Sequence, residues 1–256
     1  MNIQVVERVA EILDAFNDET RELRLGPLAR DLDVQRSTLH RYLNSMASAG
    51  LLERTAEGTF TLGPLLARVG ALALDVNLDF AVLSQLMESV SDETGLTAVR
   101  SVWNDVSPVV IQVHNPPTPT HVNVRVGTRL PVTSAQTLVF LAYRHAPETA
   151  DRVLSLLPQR DRTDVEAAVE RTRRWGIAIG GRVDEGVRAL AAPVLDRTGA
   201  VVMTLALVGT EAAVSPNPDS RTAQALVRTA ATISTRLGFH GEHPALATDA
   251  AAQTAG

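Results

Sequence analysis

The chain has 256 residues, of which 45% are hydrophobic and 21% charged, and its formal net charge is −5. These values are typical of one or two soluble globular domains and give no overall positive charge that would favour nucleic acid. The sequence contains no cysteine and all 24 basic residues are arginine, which excludes disulfides, cysteine-ligated metals, a thiol nucleophile and a Schiff-base lysine.

The first 50 residues are predicted to form three helices. Apolar residues at positions 5, 9, 12 and 16 have helical spacing. Gly26-Pro27 opens a second helix, because proline suits the first helical turn. A third helix is predicted over 36–49 and ends at Gly50, since glycine favours the position after a helix.

Beyond residue 50 the predicted elements are mixed. The expected helices, placed by apolar periodicity, cover 65–78, 81–93, 134–145, 147–157, 163–175 and 219–237. The expected strands cover 52–55, 59–62, 96–103, 106–114, 122–126, 177–179, 187–195 and 200–208. Residues 241–256 are rich in Ala and Thr and are predicted to be a disordered tail. The change from mainly helical elements to mixed helices and strands predicts two domains, with the boundary along or just after the helix at 65–78.

The segment 25–48 has the spacing of a helix–turn–helix. A small residue, Ala29, stands where the second helix must cross the third. Asp33, four residues on, can adopt the left-handed geometry that the turn favours. Leu39 follows ten residues after Ala29, and the residues four and seven positions later are also apolar. That face of the third helix is therefore predicted to be buried.

The opposite face of the third helix predicts DNA binding. Its side chains can all donate hydrogen bonds and none is acidic: Ser37, His40, Arg41 and Asn44. Three further polar residues stand at the helix start, where recognition helices meet bases and phosphates: Gln35, Arg36 and Thr38. The hairpin that follows predicts a wing, from which Arg54 reaches the DNA. The alternative is a helical bundle whose exposed face is merely polar.

Three stretches resemble IclR-type transcriptional regulators, in the order that this family has: RSTLHRYLNSMASAGLLERTAEGTFTLGPLLARVG, VRVGTRLPVTSAQTLVFLAYR and GVRALAAPVLDRTGAVVMTLALVG. The resemblance covers roughly residues 3–240. It implies an α+β fold, with an N-terminal all-α winged helix–turn–helix domain over 1–63 and a linker helix over 64–79. A C-terminal GAF-like α/β domain with a central antiparallel sheet is implied over 80–240.

The resemblance also implies the partners. Members of the family are homodimers or dimers of dimers, bind double-stranded DNA at palindromic operators, and take a small-molecule effector in the C-terminal domain. Both repressors and activators occur, so the sign of regulation stays open. The competing hypothesis is a ligand-sensing dimeric module without sequence-specific DNA binding.

The effector site implied by the resemblance is a loop-to-helix segment whose backbone N–H groups meet the ligand. Here that segment contains Ser134, Ala135, Gln136 and Thr137, and a helix N-terminus of this kind suits a carboxylate. Ser134 is equally well an ordinary N-cap. Thr137 stands where the family often has glycine.

Two further departures from the family concern the cavity. Gly180-Gly181-Arg182 replaces part of an acidic cluster and leaves Asp184 and Glu185. On the late hairpin, the positions where members that bind small polar acids often carry Cys or Ser are apolar here: Ala189, Ala206 and Val208. We therefore expect a small organic acid that is aromatic or largely apolar as effector, because an unpaired polar group would be costly to bury there.

Two kinds of side chain could complete such a site: an aromatic ring that stacks on the ligand and an arginine that pairs with its carboxylate. Trp103 or Phe140 is predicted to stack on the ligand, and Arg182 or Arg100 to pair with its carboxylate. The alternatives are a core aromatic ring and a solvated arginine.

Enzymatic, metal and membrane functions are not expected. The sequence has no catalytic nucleophile motif or phosphate loop, and its only histidine cluster, His240 with His243, begins the predicted tail. We expect no cofactor and no metal. Apolar runs such as 201–208 are far shorter than the roughly 18 residues of a membrane helix. Acidic residues at positions 7, 11 and 14 argue against a signal peptide, so we expect a cytoplasmic protein.

Overall fold

A computed structural model of the chain describes residues 4–17, 20–75, 80–104, 106–118, 122–143, 152–155, 157–181 and 186–246. The chain divides into two compact units, residues 1–77 and 78–256. The division falls at the end of the helix predicted over 65–78. Within the described ranges, no helix is long and apolar enough to cross a membrane.

The first unit combines four helices with a two-stranded sheet. Its elements are α1 Gln4–Asp14, α2 Leu25–Asp31, α3 Arg36–Ser48, β1 Leu52–Arg54, β2 Phe60–Leu62 and α4 Pro64–Asp75. Its buried apolar side chains are Ile12, Leu23, Leu28, Ala29, Leu39, Leu43, Met46, Leu52 and Phe60. The predicted N-terminal helix–turn–helix is confirmed.

The turn between α2 and α3 has the predicted geometry. Asp33 has φ 49° and is the one non-glycine residue with a positive φ in the described part of the chain. The N–H of Val34 donates to the carbonyl of Ala29 at 2.9 Å, which closes the turn. Ala29 and Leu39 are both buried, as the crossing of the two helices requires.

The hairpin after α3 is tied to the chain before α2. Strands β1 and β2 are antiparallel with Arg54 opposite Phe60, and Gly58 takes φ 80° in the turn. Leu23 and Phe60 exchange two backbone hydrogen bonds, at 2.8 and 2.9 Å. This bridge adds a third segment to the wing, which the sequence did not predict.

The second unit is built on a five-stranded antiparallel sheet. Its helices are α5 Phe80–Thr94, α6 Ala135–Tyr143, α7 Gln159–Trp175 and α8 Arg221–Arg236. Its strands are β3 Thr97–Asn104, β4 Ser107–His114, β5 Ala178–Gly180, β6 Val187–Leu195 and β7 Val201–Thr210. They lie in the order β4-β3-β7-β6-β5. The predicted α+β fold with a central antiparallel sheet is confirmed.

Different helices cover the two faces of this sheet. On one face, Ala98 of β3 packs in a cluster with Met87 of α5 and Leu226 of α8. On the other face, Val99 of β3 packs in a cluster with Leu138 of α6. Because successive residues of a strand point to opposite faces, the neighbours 98 and 99 belong to separate apolar clusters.

The structure differs from two sequence predictions: the strand expected over 122–126, and the helices expected over 147–157 and 163–175. Residues 122–126 do not form the expected strand. The chain just after them lies along β4 instead, where Gly127 N donates to Val110 O at 2.8 Å and Leu130 N to Pro108 O at 2.9 Å. Helix α7 begins at residue 159. Of the helix predicted over 147–157, residues 152–155 are helical, and 147–151 and 156 lie outside the described residues.

The predicted disordered tail does not begin at residue 241. His243 and Ala245 are buried, and Nε2 of His243 lies 3.0 Å from the carbonyl oxygen of Pro193. The N–H of Ala245 donates to Nδ1 of the same ring at 3.3 Å. A Cβ on Gly176 would lie 2.2 Å from Cα of Ala245, so this close approach requires glycine. Residues 247–256 lie outside the described part.

The buried imidazole of His243 predicts loss of stability in acid. Burial lowers the pKa of His243, against a smaller opposing effect of the hydrogen bond to Pro193. The folded state therefore binds the proton less tightly than the unfolded chain. We expect full stability above about pH 7 and a falling free energy of unfolding as pH drops through and below about 6.5.

The measurement is urea unfolding at about pH 7.5 and about pH 5.5. His243→Gln keeps a side-chain N–H donor but does not titrate, so it should lose less stability between the two pH values than the wild-type chain. Equal losses in both proteins would contradict the prediction.

Candidate DNA-binding and effector sites

The predicted DNA-binding side chains lie on one accessible surface of α3 and its N-terminal end. Asn44 is partly buried, and the rest are exposed: Gln35, Arg36, Ser37, Thr38, His40 and Arg41. The opposite side of the helix is buried through Leu39, Leu43 and Met46. The packing of α3 thus orients every predicted contact residue outwards, which is how a recognition helix presents donors to a groove.

Two of these side chains contact each other. The amide nitrogen of Asn44 lies 3.2 Å from Nδ1 and 3.3 Å from Nε2 of His40, one helical turn earlier. The Asn44 amide thus lies against the imidazole of the preceding helical turn.

Arg54 lies on the wing, as predicted, and is exposed. Its guanidinium carbon is 6.0 Å from the centroid of the Phe60 ring, within the range of a cation–π contact. Glu53 and Glu57 are the acidic neighbours on the same hairpin.

The second unit contains a cavity of about 400 Å³ on the α6 side of its sheet. This volume is in the range of small-molecule sites. Its apolar lining residues are Val99, Val122, Val124, Leu130, Pro131, Ala135, Val187, Ala189 and Val208. Its polar lining residues are Asn123, Thr128, Arg129, Thr133, Ser134 and Gln136, and Gly181 completes the wall.

The N-terminus of α6 is one wall of this cavity. Ser134 is its N-cap, because the Ser134 hydroxyl accepts from the N–H of Thr137 at 3.2 Å. The Thr137 hydroxyl donates to the carbonyl of Pro131 at 2.9 Å. The side chain of Thr137 therefore binds the loop before α6. Among the described residues, the structure gives no hydrogen-bond partner to the N–H groups of Ala135 and Gln136. These two donors are the ones a ligand could use.

Gly180 keeps the end of β5 close to this helix terminus. A Cβ at position 180 would lie 3.0 Å from the backbone nitrogen of Ala135. Because residue 180 is glycine, the strand approaches the helix without covering that nitrogen with a side chain. Gly181, the next residue, lines the cavity itself.

The Gln136 side chain is bound to the sheet. Its Nε2 donates to Thr204 Oγ1 at 3.2 Å and to the Val99 carbonyl at 3.3 Å. Its Oε1 accepts from Ser101 Oγ at 3.1 Å. Both ends of this amide are hydrogen-bonded to the sheet, and the backbone N–H of Gln136 is the group that remains for a ligand.

The three hairpin residues predicted at the site divide between its wall and the core. Ala189 and Val208 are directly opposite each other on β6 and β7, and both line the cavity. Ala206 lies on the same face of the sheet but is fully buried in the apolar cluster under α6. It does not line the cavity.

The predicted aromatic and arginine contacts lie elsewhere. Trp103 and Phe140 contact each other, with ring centroids 5.4 Å apart, and neither lines the cavity. Arg100 is buried opposite Leu205, on the sheet face covered by α5 and α8, because it is one residue away from Val99 in the same strand. Burial lowers the pKa of Arg100 to about 10. These placements argue against direct ligand contacts by the three residues.

Two of the other predicted residues, Arg182 and Asp184, lie outside the described part of the chain. Sequence reasoning missed Arg129, which is exposed and lines the cavity. The sequence feature that could have pointed to Arg129 is its position directly before the loop that leads into α6. In the described ranges, no group of three or more His, Asp or Glu residues could hold a metal ion.

Comparisons with known proteins match both units. The model of the IclR helix-turn-helix domain matches residues 5–56, and the model of the bacterial transcriptional regulator IclR C-terminal domain matches residues 74–235. The HTH-type transcriptional regulator XynR of Escherichia coli strain K12 is 27% identical over 216 residues. That match covers 80% of this chain and 85% of the relative.

Two solved structures are similar over nearly the whole chain. A chain from Silicibacter sp. TM1040, assigned to the IclR transcriptional regulators, has a TM-score of 0.84 at 23% identity and covers 94% of this chain and 98% of that one. An IclR homologue from Microbacterium hydrocarbonoxydans, solved with 4-hydroxybenzoate, has a TM-score of 0.74 at 25% identity. This structural match covers 91% of this chain and 99% of the homologue.

Proposed function

The chain belongs to the IclR family of bacterial transcriptional regulators, and from that premise we propose that it binds a palindromic operator as a homodimer and responds to a largely apolar, aromatic acid. The family assignment makes it a DNA-binding regulator with a C-terminal effector domain and not an enzyme. The observation that carries the proposal is the 400 Å³ cavity, whose walls are mostly apolar and whose one end is a helix N-terminus.

DNA contacts are proposed for α3 and the wing. The donors at the start of α3 suit phosphates and base edges, while Arg41 and Asn44 suit base edges in the major groove. Arg54 is proposed to contact the DNA backbone or minor groove from the wing. The exposure of all these side chains but Asn44, which is partly buried, supports this assignment.

Dimerisation is proposed through the first unit. Val5 and Val6 of α1 are 56% and 63% exposed, and Val69 of α4 is 47% exposed. These side chains leave apolar surface on α1 and α4 that a second copy of the chain could cover. A two-fold axis would then set the spacing of two recognition helices near one helical turn of DNA or a small multiple. We assign residues 1–63 to DNA binding, 64–79 to the dimerising linker and 80–240 to effector binding.

The effector is proposed to bind with its carboxylate toward α6. The N–H groups of Ala135 and Gln136 and the partial positive charge of the helix end favour an anion there, and Arg129 adds a full positive charge at the same cavity. Val99, Ala189 and the other apolar walls favour an aromatic ring over a small polar acid. The 4-hydroxybenzoate complex of the Microbacterium hydrocarbonoxydans homologue supports this class of ligand.

The experiment is fluorescence anisotropy of the dimer titrated onto DNA from its own upstream region, at two salt concentrations, against a scrambled duplex. We expect specific binding that falls steeply with salt, and a shift of about 5- to 150-fold when 4-hydroxybenzoate is added, in either direction. Binding no tighter than to the scrambled duplex, with or without the ligand, would favour the sensory module that does not read DNA.

A further inference from the structure

The His40–Asn44 contact places the nitrogen end of an amide against an imidazole on the proposed DNA-binding face. The Asn44 nitrogen lies 3.2 and 3.3 Å from the two ring nitrogens of His40. The nitrogen end of the amide is therefore directed at the imidazole, and Oδ1 is turned away from it. A side chain restricted in this way loses less conformational freedom when it binds.

The restricted amide has a definite hydrogen-bonding pattern. Its nitrogen has two hydrogens, so one remains when the other is directed at His40. Asn44 then offers one acceptor, Oδ1, beside one donor. In the major groove, adenine presents a donor, N6–H, beside an acceptor, N7. Guanine presents two acceptors, cytosine one donor, and thymine an acceptor beside a methyl group.

From this match we propose that Asn44 reads an adenine in each half-site, through N6 and N7, and that His40 is the positioning residue that holds the amide for it. The proposal rests on the DNA-binding function proposed above and names a base that this function requires the chain to read. Ser37 and Arg41 share this face of α3 with the pair.

Selection from a random duplex library tests the proposal, because it requires no assumed operator sequence. The wild-type dimer should enrich a two-fold symmetric sequence with adenine at one position in each half-site. Asn44→Ala should bring the four bases at that position close to equal frequency and weaken binding to the wild-type sequence by about 5- to 150-fold for each half-site, the range expected for one bidentate base contact.

Two further variants distinguish reading from folding. Asn44→Asp keeps only acceptors, so the preferred base at the same position should change from adenine to cytosine. His40→Ala should weaken the adenine preference at that position and at no other. The matched control is Asn217→Ala, which removes an exposed asparagine from the second unit and should leave every position unchanged.

A duplex with 7-deazaadenine at the selected position tests the contact directly, because it lacks the N7 acceptor. The wild-type chain should lose affinity for it, and Asn44→Ala should bind both duplexes equally. An unchanged selection by Asn44→Ala and Asn44→Asp would overturn the role of Asn44, and an unchanged selection by His40→Ala would overturn that of His40. Failure of the wild-type chain to enrich any sequence would instead contradict the proposed DNA binding.

Discussion

Replacing Arg36 and Arg41 together with alanine is expected to weaken specific DNA binding by at least about 30-fold. Each arginine that contacts a base or phosphate contributes about 1–3 kcal/mol, and the two are far enough apart on α3 for their effects to add approximately. Both side chains are exposed, so their removal creates no cavity and the free energy of unfolding should change by less than about 0.5 kcal/mol.

The measurement is anisotropy on the selected duplex at two salt concentrations, with thermal unfolding alongside. The control is Arg171→Ala combined with Arg174→Ala on α7, which removes the same two charges from exposed positions in the second unit and should leave DNA affinity within about twofold of wild type. An equal loss of affinity in the control would show that the change in net charge, and not the loss of contacts from α3, weakens DNA binding. No loss in the double variant would contradict the assignment of α3 as the recognition helix.

The DNA-binding half could be predicted in detail because its determinants are local. Ala29, Asp33 and Leu39 stand in one segment of 11 residues, and their spacing alone fixes which side of α3 is buried. The turn at Asp33 depends on the conformation of a single residue. The bridge from Leu23 to Phe60 was missed because it joins residues 37 positions apart through backbone atoms, which carry no sequence pattern.

The effector half was predictable as a set of elements but not as a site. Strand β3 is buried on both faces, so its sequence lacks the polar and apolar alternation that would tell Arg100 from Val99. Which of the two meets the cavity depends on the side of the sheet that α6 covers, and that is decided by tertiary packing. The N-terminal end of α6 was located correctly, because a helix start is a local feature.

The cavity wall at residues 122–131 illustrates the same limit. Val122, Val124 and Val126 alternate as a strand would, but the chain pairs with β4 only from Gly127 onwards, and then through isolated hydrogen bonds. Arg129 reaches the cavity through that arrangement. Likewise, His243 is buried by contacts with Pro193, 50 residues away in the chain, which composition cannot anticipate.

Ala189→Leu is expected to raise the dissociation constant for 4-hydroxybenzoate by at least about tenfold, the largest effect predicted for the second unit. Ala189 lines the cavity directly opposite Val208, so a larger side chain occupies the space of the ligand ring. Tenfold corresponds to about 1.4 kcal/mol, within the cost of overfilling a packed apolar site. DNA binding without ligand should remain, because the substitution leaves the first unit unchanged, and only the response to 4-hydroxybenzoate should be lost.

Calorimetry with the acid and with 4-hydroxybenzamide separates the apolar wall from the anion site. Ala189→Leu should weaken both compounds alike, whereas Arg129→Gln should weaken the acid and spare the neutral amide, since it removes a charge and not a wall. Ala167→Leu, an exposed position on α7, is the matched control and should change neither. If Ala189→Leu binds the acid as tightly as the wild-type chain, the effector does not occupy this cavity, and the apolar walls around Val99 and Val208 belong to the core of the domain rather than to its ligand site.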